Sequence, residues 1–293
     1  MPYATAKDGT RLFYKDWGKG RPLVLLHGWP LTGDTFDDVA VALADKGFRS
    51  IVPDRRGFGR SDQPWEGYDY DTFTDDVAAI LDDAGIKDPV GIVGFSMGGG
   101  EVARFQTRYP GRSAAAVLIS AVVPYMLKTD DNPNGVPQAT FDEMTAGMKK
   151  DRAGFMETFA KDFFGVGWMS NPVGDAVLGD FQRQALMAGL RPTLAAAQAF
   201  ATTDFRPDLA NFKAPTLVVH GTADKTVPID ATGRVSAAKI PGAKLIEYDG
   251  SAHGLFAIDK DRLIDDLASF LMANAGDQAR ASDTSAIPLT VPA

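Results

Sequence analysis

The sequence predicts an α/β fold, a mostly parallel central sheet flanked by helices and carrying a helical insertion. Three observations predict it. Short apolar runs alternate with amphipathic stretches in the first and last parts of the chain. Most of those runs are continuously apolar, as parallel strands covered on both faces must be. The alternation stops near Val122 and resumes near Ala214. In order, strands are expected at residues 12–17, 22–27, 49–53, 90–95, 115–121, 215–220 and 244–248. Between them Phe36, Val39, Ala40 and Leu43 recur at helical spacing, as do Phe73, Val77, Ile80 and Leu81, and later Leu263, Leu267, Phe270 and Leu271. Strand–helix–strand repetition of this kind builds a parallel sheet with helices on its faces.

Residues 122–213 contain no convincing strand. Helical patterns fall near 141–148, 152–164, 173–188 and 193–202, punctuated by Pro133, Pro137, Pro172, Pro192 and Pro207. This stretch reads as a cap inserted into a core made of residues 1–121 and 214–273. From residue 274 to 293 the chain is rich in Ala, Ser, Asp and Thr, the composition of a flexible tail.

Composition excludes several classes of function. The 293 residues are 45% hydrophobic and 23% charged, with 30 basic against 38 acidic side chains and a net charge of −8. An acidic surface argues against nucleic acid and anionic membrane as partners. With no cysteine, there is no disulfide, thiolate metal site or cysteine nucleophile. The first residues lack a basic patch followed by an apolar run, and no apolar run approaches a membrane span, so a cytoplasmic protein is expected.

Gly94-Phe95-Ser96-Met97-Gly98 follows an apolar strand and precedes a helix-like run over 101–109. That context marks a nucleophile elbow. The turn is so tight that side chains at 94 and 98 would collide, hence glycine at both, and Ser96 is held strained with its hydroxyl exposed. Serine needs a base, and the chain has three histidines. His27 and His220 sit at strand ends, where a side chain organises a turn. His253 lies in a loop past the last strand and is the expected base. The carboxylate that orients it is Asp224, after the penultimate strand, giving the chain order Ser96, Asp224, His253. Asp54 precedes the nucleophile and reads as a loop-ordering residue. Oxyanion donors are expected from the backbone N–H of Met97 and from Trp29, in the loop after strand 22–27. Three histidines without clustered ligand spacing leave no metal site, and Ser96 stands where a dinucleotide fingerprint needs bare backbone. No cofactor is expected.

These residues resemble the α/β-hydrolase superfamily, and within it the cofactor-free haloperoxidases (perhydrolases) and aryl esterases. The resemblance rests on Phe13-Tyr14-Lys15-Asp16-Trp17-Gly18, His27-Gly28-Trp29-Pro30-Leu31, the run from Asp54 to Pro64, Gly94 to Gly100, and Thr203-Asp204-Phe205-Arg206-Pro207, and spans about residues 3–272. It implies a serine hydrolase of small esters that often accepts hydrogen peroxide in place of water, with Ser96, Asp224 and His253 on the triad and Trp29 and Met97 on the oxyanion donors. It also implies a homo-oligomer. Pro30 restricts Trp29 to extended backbone and fixes its carbonyl direction; in this family proline here marks perhydrolases, with halide oxidation secondary to peracid formation. A small apolar acyl pocket is expected, lined by Trp29 and Met97, with Phe159 and Phe200 as candidates from the cap. Lactone or γ-lactam opening by the same triad is the alternative. Dehalogenases and epoxide hydrolases want aspartate at the elbow, and a non-enzymatic relative would usually lack a triad member.

Overall fold

The computed structural model describes residues 2–274; the tail expected from residue 274 lies, beyond that residue, outside them. The strands are β1 (Tyr3–Thr5), β2 (Arg11–Gly18), β3 (Arg21–Leu26), β4 (Phe48–Pro53), β5 (Val90–Phe95), β6 (Ser113–Ile119), β7 (Thr216–Gly221) and β8 (Lys244–Tyr248). They form one sheet in the order β1-β2-β4-β3-β5-β6-β7-β8. The β1–β2 and β2–β4 pairs are antiparallel and the remainder parallel. The seven strands expected from the apolar runs are all present, with ends moved by a few residues. The additional strand β1 is three residues with alternating burial, too short to carry a periodicity.

The helices are α1 (Asp37–Asp45), α2 (Tyr70–Asp83), α3 (Met97–Arg108), α4 (Gln138–Lys150), α5 (Arg152–Phe164), α6 (Asp175–Ala185), α7 (Leu190–Thr202), α8 (Gly233–Lys239), α9 (Leu255–Ile258) and α10 (Lys260–Asn274). Each expected periodic stretch became a helix with its apolar residues inward. In α2 the Asp69 carboxylate caps the first turn by accepting from the Thr72 N–H at 2.9 Å, and Phe73, Val77, Ile80 and Leu81 are buried. Helices α1 and α10 pack together, as do α2 and α3; right-handed crossovers put the two pairs on opposite faces of the sheet. All six residues of β5 and of β7 are buried, which is why their sequences are apolar without alternation. Among the described residues no helix is long and apolar enough to cross a membrane.

Parallel strands bring their C-terminal ends to one edge. The loops after β3, β5, β7 and β8 meet there, and α4 to α7 fill the chain between β6 and β7.

Candidate active site

Ser96 follows β5 directly and α3 begins at the next residue, so strand and helix are joined by a single residue. Its backbone sits at φ 54°, ψ −116°, a region that costs a non-glycine residue about 1–3 kcal/mol. The neighbours show why the turn is glycine-rich. A Cβ on Gly94 would overlap the Gly98 carbonyl, and one on Gly98 would overlap the carbonyl of Leu26 in β3. On the adjoining loop a Cβ on Gly28 would lie 2.9 Å from the Ser96 Cβ. The loops after β3 and β5 therefore close on Ser96.

The His253 Nε2 lies 2.9 Å from the Ser96 Oγ, and its Nδ1 lies 2.6 Å from the Asp224 Oδ2. An ionised carboxylate only accepts, so Nδ1 carries the proton and Nε2 is left as the acceptor for the serine hydroxyl. The imidazole is buried and held between rings, edge-on to Phe163 with centroids 4.7 Å apart and tilted against Phe95 at 5.0 Å. Asp224 is fixed in turn: its Oδ1 accepts from the N–H groups of Thr226 and Val227 at 2.9 and 2.8 Å. Burial pushes its carboxyl upward, but the adjacent His253 and the hydrogen bond from His220 more than reverse this, holding it well below the usual carboxylate range. Phe95 and Phe163 were not legible as site residues; apolar residues in a strand and a helix look the same whether they pack on a ring or on a core.

Met97 is the first residue of α3, so its N–H has no intrahelical acceptor and faces outward from the helix end at Ser96. Trp29 adjoins Gly28, and its indole N–H donates to the Thr193 carbonyl of α7 at 2.9 Å. The indole meets Phe159 and Phe200 edge-on, with centroids 5.4 and 5.7 Å apart. Ser96, Trp29, Phe159 and Phe200 all line one cavity of about 850 Å³. This corrects the expectation of a small acyl pocket. The cavity runs beneath α4, α5 and α7, whose Phe141, Met144 and Phe155 add to its walls, and reaches a rim that bears Asp162, Lys225 and Asp249. How far helices of an insertion stand off a sheet depends on their packing angles, which periodicity does not encode. The side chain of Met97 is fully buried and takes no part in the wall.

The other sequence candidates lie elsewhere. His27, just past β3, is buried, donates to the Gly28 carbonyl at 2.9 Å and accepts from the Arg55 N–H at 3.0 Å. Burial, then the Arg55 charge, push its basicity well down, so it is a neutral clamp on the Gly28–Trp29 loop. Asp54 receives Gly33 and Arg60 backbone N–H groups, both at 2.8 Å, and the Arg60 side chain. Its role is to order two loops. Arg55 also donates to the His27 carbonyl at 2.6 Å and pairs with Glu101, both side chains being buried. Arg55→Met would leave Glu101 charged and alone, so urea unfolding at neutral pH should show a loss of about 3–5 kcal/mol. That deficit should shrink as the pH falls, because burial already raises Glu101 and a folded-state carboxyl with a raised pKa gains stability on protonation. Among the described residues no group of three or more His, Cys, Asp or Glu is arranged to hold a metal ion.

Residues 21–259 match the family model of the alpha/beta hydrolase fold. The chain is 46% identical over 274 residues to a non-heme chloroperoxidase, CPO-A1, of Kitasatospora aureofaciens, covering 92% of this chain and 99% of that one. It is 40% identical over 275 residues to the bifunctional esterase/perhydrolase DCH of Acinetobacter calcoaceticus, with the same coverage. The crystal structure of a bromoperoxidase from Bacillus anthracis superposes with a TM-score of 0.87 at 40% identity, over 92% of this chain and 100% of the other. Sequence motifs, sheet order and the strand–serine–helix turn thus agree with the matched family, and the chain belongs to the α/β-hydrolase fold family.

Proposed function

We propose that this protein hydrolyses small carboxylic esters through an acyl-enzyme and transfers the same acyl group to hydrogen peroxide. The observation that carries the proposal is the hydrogen-bonded run Ser96–His253–Asp224, whose serine lines a largely apolar cavity. Ser96 Oγ attacks the ester carbonyl as Nε2 of His253 takes its proton, and Asp224 stabilises the imidazolium. The backbone N–H groups of Met97 and Trp29 stabilise the oxyanion. As the carbonyl re-forms, the C–O bond to the alcohol breaks and His253 returns the proton to the leaving oxygen. Water, activated by the same imidazole, then releases the acid; hydrogen peroxide in its place releases the peracid, which oxidises halide in solution. No cofactor is needed.

Support for the peroxide branch comes from Pro30, which sets the direction of the Trp29 carbonyl, and from the relatives named as chloroperoxidase and esterase/perhydrolase. Residues 122–213 act as the cap over the cavity, and the chain works as a homo-oligomer in the cytoplasm. The discriminating experiment is turnover of p-nitrophenyl acetate with and without hydrogen peroxide, following peracid. Peracid formation supports the full proposal; ester cleavage without it removes the peroxide branch. A second reading, opening of lactones or lactams by the same groups, is favoured by a cavity larger than a small ester fills, and a lactone and lactam panel separates the two.

A further inference from the structure

The carboxylate that faces His253 is touched by a second imidazole. His220, the fifth residue of β7, is fully buried, and its Nε2 lies 2.9 Å from the Val227 carbonyl and 3.3 Å from the Asp224 Oδ2. A carbonyl only accepts, so Nε2 carries the proton and shares it between the two oxygens. Its Nδ1 has no hydrogen-bond partner among the described residues and faces Gly233, where a Cβ would lie 2.6 Å from it. The ring therefore has one polar function, at Nε2. Val227 is gripped from both sides: its N–H donates to Asp224 Oδ1 and its carbonyl accepts from His220. The turn from Asp224 to Val227 is thus closed on itself by one side chain from the strand beneath it.

We infer that His220 is a positioning residue that sets where Asp224 stands relative to His253, by holding the far end of the Asp224–Val227 turn and donating to the carboxylate itself. The inference rests on the proposed function of Ser96, His253 and Asp224. Its physical basis is that a 2.6 Å bond tolerates little displacement of its acceptor, and that the loop bearing the acceptor has an exposed residue, Lys225, at its centre. A turn on the surface keeps a fixed geometry only if its ends are tied.

The test compares His220→Met, which fills the space without a donor, with His220→Gln, whose Nε2 reaches the place of the imidazole Nε2. His220→Met should lower kcat for p-nitrophenyl acetate by about 10- to 100-fold with KM nearly unchanged. It should also move or abolish the low-field proton resonance of His253 Nδ1–H, identified by its loss in Asp224→Asn. His220→Gln should restore most of both. Should the methionine variant fail to fold, His220→Asn, whose amide stops short of Val227, takes its place. Wild-type kcat and resonance in the donor-less variant would overturn the inference, whatever its melting temperature, and so would a glutamine variant as impaired as the methionine one. Ser96→Ala is run alongside: full activity there would remove the proposed mechanism itself, an outcome distinct from either result at His220.

Discussion

Ser96→Ala should lower kcat for ester hydrolysis by about 10⁴-fold or more while leaving KM within a small factor. The nucleophile is the one group for which nothing nearby can substitute. The two side chains in line with it, His253 and Asp224, are hydrogen-bonded to each other at 2.6 Å, and neither is placed to attack a bound carbonyl. Alanine retains a Cβ and so retains the strained φ of 54°, and the lost hydroxyl has His253 as its partner. Thermal stability should therefore change little. Single-turnover kinetics with p-nitrophenyl acetate give the decisive reading: wild type should show a burst of nitrophenol and the variant none. A variant that keeps both burst and turnover would remove the serine mechanism.

Asp224→Asn should cost about 10⁴-fold in kcat, the magnitude found when the triad aspartate of a serine protease is made asparagine. The local hydrogen bonds dictate the reason. The Thr226 and Val227 N–H groups point at Oδ1, so the asparagine oxygen must take that position. The amide NH₂ then occupies the Oδ2 position and faces two donors, His253 Nδ1–H and His220 Nε2–H. His253 escapes by moving its proton to Nε2, which ends its capacity to accept from Ser96. In the wild type the lowered carboxyl keeps Asp224 ionised far into acid. The stability contributed by that ionisation is complete well above the ordinary carboxylate value of about 4 and is lost progressively as the pH falls from there to the lowered folded value. The Asp224 carboxylate therefore contributes no acid limb to the wild-type rate profile at an ordinary carboxylate value of about 4. A pH–rate profile of wild type and variant checks this; an acid limb in the wild type at an ordinary carboxylate value would contradict it.

Much of this molecule was legible without coordinates, for identifiable reasons. Continuous apolar runs at β5 and β7 could only be covered strands, and Gly94 and Gly98 around Ser96 announced a turn too tight for side chains. With three histidines in the chain, position relative to the strands singled out His253, whose Nε2 the fold brings to 2.9 Å from the Ser96 Oγ. What only the tertiary structure decided is everything that depends on distance between segments far apart in the chain. The three-residue β1 forms because Arg11–Phe13 offers it a partner. The cavity reaches about 850 Å³ because α4, α5 and α7 form its walls at angles no local pattern records. The ring contacts of Phe95 and Phe163 with His253, and the second imidazole on Asp224, come from chain crossings. Local sequence specifies which residue types and turns are present, since steric limits and burial act within a few residues. The orientation of a side chain toward a distant partner is set by packing, and packing is a property of the folded whole.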